Sequence, residues 1–395
     1  MEYNFSNKIA NLKPSAIREI LKATSDPRII PLAAGNPSVE AFPIDDVRRI
    51  SAEIFAETPV LALQYSVTEG YPALRKSIAE RMKKSGIGRD FDEVLVTAGA
   101  QQVMDLATKA LCNEGDTVIC EAPSFIGSLN CFRSNGCRLV GVEIESDGIN
   151  IEKLEEALKT EKNVKFIYTI PNFQNPAGVT MSLEKRKALY ELAKRYGVLV
   201  LEDNPYGDLR VSGQDVPSIK SFDEDGIVIY VGSFSKILSP GLRVGYSIAP
   251  QALTAKMTVC KQTEDVHTAI FNQLVVSKWM AECDFDAHIE KLRAIYREKL
   301  NLMCDTIDEK MGGFFTYVRH EGGLFVWCKL PDGVDMPAFC KKGIEKGVAA
   351  VPGSAFMVDD TQPTQYIRLN FSTPSNEQIV KGIEIFSEIA KEYQK

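Results

Sequence analysis

Short, nearly continuous apolar runs recur through the middle of the chain, at residues 94–97, 117–121, 164–170, 198–202, 227–231 and 244–249. Runs of this length and continuity are expected of strands buried on both faces. Between them the period changes. Leu189, Leu192, Ala193 and Tyr196 follow an i, i+3, i+4, i+7 stripe, with Ser182 as the expected N-cap and Gly197 as the stop. Alternating strand and helix in this order predicts an α/β fold with a mostly parallel sheet between helices.

The pattern shifts near residue 286. Ile289, Leu292, Tyr296, Leu300 and Met303 stripe one long amphipathic helix. Strands are expected at 314–318 and 324–330, on either side of Glu321-Gly322-Gly323, and at 366–371. Ile379, Ile383, Phe386 and Ala390 stripe a last helix, and the whole reads as a smaller α+β domain. The first 40 residues differ again: a short helix over 15–24, then Pro27, Pro31, Gly35, Pro37 and Pro43 breaking regular structure. The expected division is an N-terminal arm, 1–44, packing partly on the small domain, a large domain, 45–285, and a small domain, 286–395.

Composition narrows the class. Of the 395 residues, 45% are hydrophobic and 25% charged, which excludes a disordered or collagenous chain. The net charge of −7 lacks the basic footprint of a nucleic-acid binder, so no nucleic-acid partner is expected. No apolar run approaches a membrane span and residues 1–11 lack a signal-sequence core, so neither membrane nor export is expected. The nine cysteines, at 112, 120, 131, 137, 260, 283, 304, 328 and 340, form no Cys-x-x-Cys and read as reduced thiols in a cytoplasmic protein. His267, His288 and His320 share no ligand spacing, and no metal site is expected.

In open parallel sheets ligands bind beyond the carboxyl ends of the strands, so the residues just after each run carry the information. After 94–97 comes Ala98-Gly99-Ala100-Gln101-Gln102 and then a helix, either a phosphate cradle or an ordinary strand–helix turn. After 164–170 comes Pro171-Asn172-Phe173-Gln174-Asn175-Pro176-Ala177-Gly178, where an Asn amide either reaches a ring oxygen or serves a turn. Glu202-Asp203-Asn204-Pro205-Tyr206 puts carboxylates at a buried strand end, costly unless a protonated ring nitrogen, a helix cap or an ion pair answers them. Gly232-Ser233-Phe234-Ser235-Lys236, followed by Arg243, sets a lysine among hydroxyls near a second cation. Desolvation beside another cation turns such a lysine into a nucleophile towards carbonyls, whereas a solvated loop lysine does nothing. One ligand answers all four segments: pyridoxal 5′-phosphate, with its phosphate, ring nitrogen, phenolic oxygen and aldehyde.

With PSAIREILK, LQYSVTEGYPALR, TAGAQQVMDL, EAPSFIGSL, PNFQNPAG, VLEDNPYG, GSFSKILSPGLRVGY, GGLFVW and YIRLNFS in order from Pro14 to the last helix, the chain resembles the fold-type I, pyridoxal-phosphate-dependent aminotransferases, in the branch of 2-aminoadipate and kynurenine aminotransferases. The resemblance implies an aspartate-aminotransferase-like fold. It also implies that Lys236 is the Schiff-base lysine, Asp203 pairs with the ring nitrogen, and Tyr206 and Asn175 bond the phenolic oxygen. Gly99, Ala100, Gln101, Ser233, Ser235 and Arg243 would hold the phosphate, and Phe125 would stack on the ring. Tyr65 would reach the neighbouring subunit's phosphate in a homodimer. Arg368, with Asn175, would clamp the substrate α-carboxylate. Gly35 lies by the substrate, and Arg18 either meets a second substrate carboxylate or is a solvated helix residue.

Two positions depart from the family pattern. Ala100 stands where many relatives have a phosphate-binding Ser, and Phe125 where Tyr usually stacks. Stacking needs only the aromatic face. Ala34-Gly35-Asn36 also differs, which bears on specificity. The expected reaction is ping-pong exchange of an amino group between an L-amino acid (2-aminoadipate, aromatic or branched aliphatic) and a 2-oxo acid, 2-oxoglutarate in the first place. The rivals are another fold-type I activity, such as a carbon–sulfur β-lyase, and a non-catalytic cofactor-binding regulator. His267 reads as structural, and Phe325 and Trp327 as core.

Overall fold

A computed structural model describes residues 3–10, 12, 26–359 and 361–394. The helix expected over 15–24, and Arg18 with it, lie outside the described residues. The large sheet is built from β1 (Asp92–Thr97), β2 (Thr117–Ala122), β3 (Arg138–Glu145), β4 (Gly148–Ile149), β5 (Val164–Thr169), β6 (Leu199–Asp203), β7 (Val228–Ser233) and β8 (Gly245–Pro250). Their order is β1-β8-β7-β6-β5-β2-β3-β4. Strands β7, β6, β5, β2 and β3 run parallel, while β8 lies antiparallel between β7 and β1. Because β8 is reversed, its first residue, Gly245, sits beside Thr97 and Ser233, the last residues of β1 and β7. The segment Phe234–Val244 therefore turns back along the edge where the parallel strands end.

Alternate residues of these strands feed two separate cores. Val118, Cys120, Phe166, Tyr168, Leu201 and Ile229 join one cluster, and Ile119, Ile167, Val200 and Val228 the other. Burial on both faces is why the strands read as continuous apolar runs. The helix Leu183–Tyr196 covers the second face. Ser182 Oγ accepts from the Lys185 N–H at 3.3 Å, and Gly197 ends the helix with φ +66°.

The edge strands β3 and β4 have no counterpart among the predicted runs. β3 carries Arg138, Glu143 and Glu145 on a largely exposed edge, and β4 has two residues. Neither presents the buried apolar run that marks a central strand.

A second sheet, order β10-β11-β9, is antiparallel and comprises β9 (Phe325–Lys329), β10 (Val351–Pro352) and β11 (Tyr366–Asn370). The strand expected at 314–318 does not form. Phe314 and Phe315 are consecutive and both buried against Phe339, which the alternating pleat of a strand forbids, and Thr316 alone bridges to Lys329. The helices Phe285–Lys310 and Asn376–Tyr393 lie where their stripes predict, the second opened by a capping box of Ser375 and Gln378. The arm reaches this sheet: the Ile30 N–H donates to the Gly347 carbonyl at 2.8 Å, and the Asn370 N–H to the Leu32 carbonyl at 2.7 Å. Among the described residues no helix is long and apolar enough to cross a membrane, and no group of three or more potential ligands is arranged to hold a metal ion.

Candidate active site

The two carboxylates that end β6 face opposite sides of the sheet. Glu202 turns away from the ligand edge and accepts from Ser218 Oγ at 2.7 Å, the Ile219 N–H at 2.9 Å and the Lys220 N–H at 2.8 Å. It is the helix-cap alternative realised. Asp203 turns into a cavity of about 330 Å³. Its Oδ2 accepts from the Tyr168 hydroxyl at 2.8 Å, and its buried Oδ1 has no partner. Burial pushes the Asp203 carboxyl up to about 7, with the Tyr168 bond opposing.

Across the cavity, Lys236 Nζ donates to the Gly35 carbonyl at 2.7 Å. Burial, and then the charges of Arg368 and Arg243, bring its ammonium down to about 8. Such a lysine carries far more free amine near neutral pH than an ordinary one, roughly a tenth of the population, which favours carbonyl chemistry.

One end of the cavity is an anion cradle. Gly99 has φ +83° and precedes the 12-residue helix Ala100–Leu111; the Gln102 N–H turns back to the Gly99 carbonyl at 3.2 Å, and the Ala100 and Gln101 N–H groups have no intrahelical partner. A side chain at Gly99 would be strained by the left-handed backbone and would push the Arg243 guanidinium from its place. Arg243 is itself left-handed (φ +52°), and its Nη2 donates to the Ala98 carbonyl at 3.1 Å. The Ser235 N–H donates to Ser233 Oγ at 3.1 Å, so both serines face the same end. Gln101 Nε2 donates to the Gly127 carbonyl at 3.0 Å, fastening the cradle to the helix Ile126–Ser134 that Phe125 caps. The departures Ala100 and Phe125 both line the cavity.

The opposite wall comes from the small sheet. Arg368, on β11, is 3% exposed. Its Nη1 donates to Asn175 Oδ1 at 2.9 Å and its Nη2 to the Ala33 carbonyl at 3.0 Å. The guanidinium lies 4.1 Å from the Phe325 ring centroid and 4.9 Å from that of Phe356, and its Nε is unpaired. Burial lowers its pKa to about 10, so it stays charged at neutral pH. Asn175 Nδ2 donates to the Tyr206 hydroxyl at 3.3 Å, and burial raises that phenol above its ordinary value. Asn175 acts through its side chain; the left-handed residues of its segment are Phe173 and Gly178.

Gly35, Ala100, Gln101, Phe125, Asn175, Asp203, Tyr206, Ser233, Ser235, Lys236, Arg243 and Arg368 thus line one cavity, with Gly99 beneath it. Tyr65 does not line it. It is 80% exposed and meets His267 edge-on, ring centroids 5.8 Å apart. Tyr168, Ser128, Asn36 and Phe356 stand at the site with no expectation from sequence behind them, and Phe325 is core as expected. Phe325 also forms the cavity wall under Arg368. The run 164–170 also holds Lys165 and Thr169, so the hydroxyl of Tyr168 is no distinctive signal there. Phe356 comes from a short turn, Gly353–Phe356, and carries no local signal.

A buried amine, a buried arginine and a helix N-terminus flanked by two serines around one cavity form an arrangement suited to amino- or oxo-acid chemistry. The family model for aminotransferase class I and II matches residues 27–386. The chain is 40% identical to an aromatic-amino-acid aminotransferase of Thermococcus litoralis over 100% of its own length and 95% of that protein. It is 37% identical to a 2-aminoadipate transaminase of Thermus thermophilus, over 96% and 94%. A crystal structure of Pyrococcus horikoshii kynurenine aminotransferase, in complex with PMP and with kynurenine and its product, superimposes with a TM-score of 0.95 at 38% identity, covering 99% of this chain and 98% of that one. The chain therefore belongs to the class I and II aminotransferases, with the fold-type I architecture of the pyridoxal-phosphate enzymes. It is an enzyme, an aminotransferase.

Proposed function

We propose that the chain uses pyridoxal 5′-phosphate to exchange an amino group between an L-amino acid, of the 2-aminoadipate, aromatic or branched aliphatic kind, and a 2-oxo acid, 2-oxoglutarate first, in ping-pong order. One observation carries the reading: the unpaired Oδ1 of buried Asp203 shares a cavity with the single-partnered amine of Lys236. The cavity fits the cofactor. An orphaned carboxylate oxygen is costly, and a protonated ring nitrogen is the partner that relieves it. The cradle at Gly99, Ser233, Ser235 and Arg243 suits a phosphate.

When bound, the cofactor supplies an electron sink for charge developing at the substrate Cα. The residues do the rest. Arg368 offers a planar fork to the α-carboxylate, with Asn175 fixing the fork's orientation. Asp203 would hold a proton on the ring nitrogen, Tyr206 and Asn175 would bond the phenolic oxygen, and Phe125 would cover the ring's face. Lys236, as a free amine, would take the proton from the substrate Cα and hold it for return across the substrate nitrogen.

The same reading makes the chain a homodimer. Val60, Leu63 and Tyr65 are 74%, 77% and 80% exposed on one short segment, an apolar patch suited to a second copy that would carry Tyr65 to the partner's phosphate. It also divides the chain into the arm 1–44, the large domain 45–285 and the small domain 286–395, the last opening at the helix Phe285–Lys310. All nine cysteines are free, which supports a reducing, cytoplasmic setting.

The test is a panel of L-amino acids with and without 2-oxoglutarate, products identified by mass spectrometry. Keto-acid-dependent turnover with glutamate formed is expected. Turnover without a keto acid, releasing ammonia, would replace this reading with a lyase.

A further inference from the structure

The carboxylate at the centre of the proposed site is held by a chain of hydroxyls that none of the assigned roles uses. Ser128 Oγ donates to the Tyr168 hydroxyl at 2.8 Å, and that hydroxyl donates to Asp203 Oδ2 at 2.8 Å. The sheet register explains the meeting. Tyr168 lies opposite Leu201 in the parallel β5–β6 pair, so Tyr168, Leu201 and Asp203 share one face. Ser128, one turn into the helix Ile126–Ser134, comes down on that face beside Phe125. All three residues are buried: Ser128 at 1%, Tyr168 at 0% and Asp203 at 4% exposure.

A phenol has one proton. With Ser128 donating to its oxygen, that proton is committed to Asp203. Burial and the neighbouring carboxylates hold Tyr168 well above the ordinary phenol range, so it remains a neutral donor. The bond therefore does two things at once. It favours the charged carboxylate against desolvation, and it fixes the carboxylate's rotation with Oδ2 engaged and Oδ1 left without a partner. The other groups that bear on this carboxylate are Glu121, at the end of β2, and Tyr206, after β6. Glu121 has its own donors, Thr169 Oγ1 at 2.6 Å, the Ile170 N–H at 3.1 Å and Gln174 Nε2 at 3.2 Å. The Tyr206 hydroxyl accepts from Asn175 Nδ2 and makes no bond to Asp203 among the described residues. Tyr168 is thus the one protein donor Asp203 has among the described residues.

We infer that Tyr168, oriented by Ser128, is a positioning residue that presents Asp203 Oδ1, charged, to the ring nitrogen of the cofactor. The inference rests on the cofactor reading above. Its substitution, Tyr168→Phe, removes one hydroxyl and keeps the ring that packs on Phe132 with centroids 5.2 Å apart.

The experiment titrates apoenzyme with pyridoxal 5′-phosphate and follows absorbance, alongside thermal melting of each apoenzyme by circular dichroism. Tyr168→Phe is expected to weaken cofactor binding by roughly tenfold, as befits a lost bond to a charged group. In an Asp203→Asn background the same change should cost less than about twofold, because the charge it serves is gone. Ser128→Ala should weaken binding by about two- to threefold, again only where Asp203 is present. If Tyr168→Phe does not fold, the Ser128→Ala pair decides the question by the same criterion. Wild-type binding beside unchanged binding by Tyr168→Phe, or equal losses in both backgrounds, overturns this inference alone. A wild-type apoenzyme that binds no cofactor overturns the reading beneath it, and this inference with it.

Discussion

The two faces of β6 carry the same residue types to opposite ends. Behind the sheet, Glu202 takes three donors, and Lys220 Nζ gives to Asp92 at 2.7 Å, Asp223 at 2.8 Å and the Val228 carbonyl at 2.9 Å. In front, Asp203 has one donor and an orphan oxygen, and Lys236 a single carbonyl with two arginines nearby. Buried charge is costly in both places. The rear cluster answers it within the protein and is architecture. The front cluster leaves it open, and a ligand must close it.

Removing the two lysines separates these roles most sharply. Lys236→Ala should cut transamination by at least about 10³-fold while the protein unfolds in denaturant much as the wild type does. Lys220→Ala should do the reverse, costing about 3–5 kcal/mol of stability in urea titrations by stranding Asp92 and Asp223, with turnover per folded molecule little changed.

The pH dependence of apoenzyme stability comes next. Burial holds the Asp203 carboxyl at about 7 in the folded state, above its ordinary value of 3.8, so between them the folded state binds more protons than the unfolded state. Stability from this group is full below the unfolded value and is lost as pH rises towards 7. The loss is at most on the order of 4 kcal/mol. Asp203→Asn should remove that part of the slope in unfolding measured from pH 4 to 8. The part due to Glu121, also raised to about 7 by burial, remains.

A smaller effect belongs to the carboxylate fork. Arg368→Lys keeps a charge but loses the planar pair of donors. It should raise KM for the amino acid by roughly 30-fold, about 2 kcal/mol, with the cofactor still bound. The smallest change repairs a departure. Ala100→Ser adds a hydroxyl at the head of the helix Ala100–Leu111 and should tighten cofactor binding by a few fold, about 1 kcal/mol, in an equilibrium titration.

What was legible in the chain follows from where burial and chain order act together. Lys236, Asp203, Asn175 and Gln101 each sit just beyond a run of continuous apolar residues, and parallel packing forces those ends to one edge. Strands β3 and β10 escaped because one is a half-exposed edge and the other has two residues, so neither had burial to write a pattern. The run 314–318 misled because two adjacent phenylalanines both face inward, which apolar content alone does not reveal. Asn36 lines the cavity and Phe356 packs on Arg368 through tertiary folding of short irregular segments, and nothing local marks them.

The most direct measurement of the central claim is to load the apoenzyme with pyridoxal 5′-phosphate, reduce it with borohydride and map the modified peptide by mass spectrometry. The account predicts the label on Lys236 and on no other lysine. A label on Lys220 or another lysine, or no label in protein that has gained the cofactor's absorbance, would contradict it.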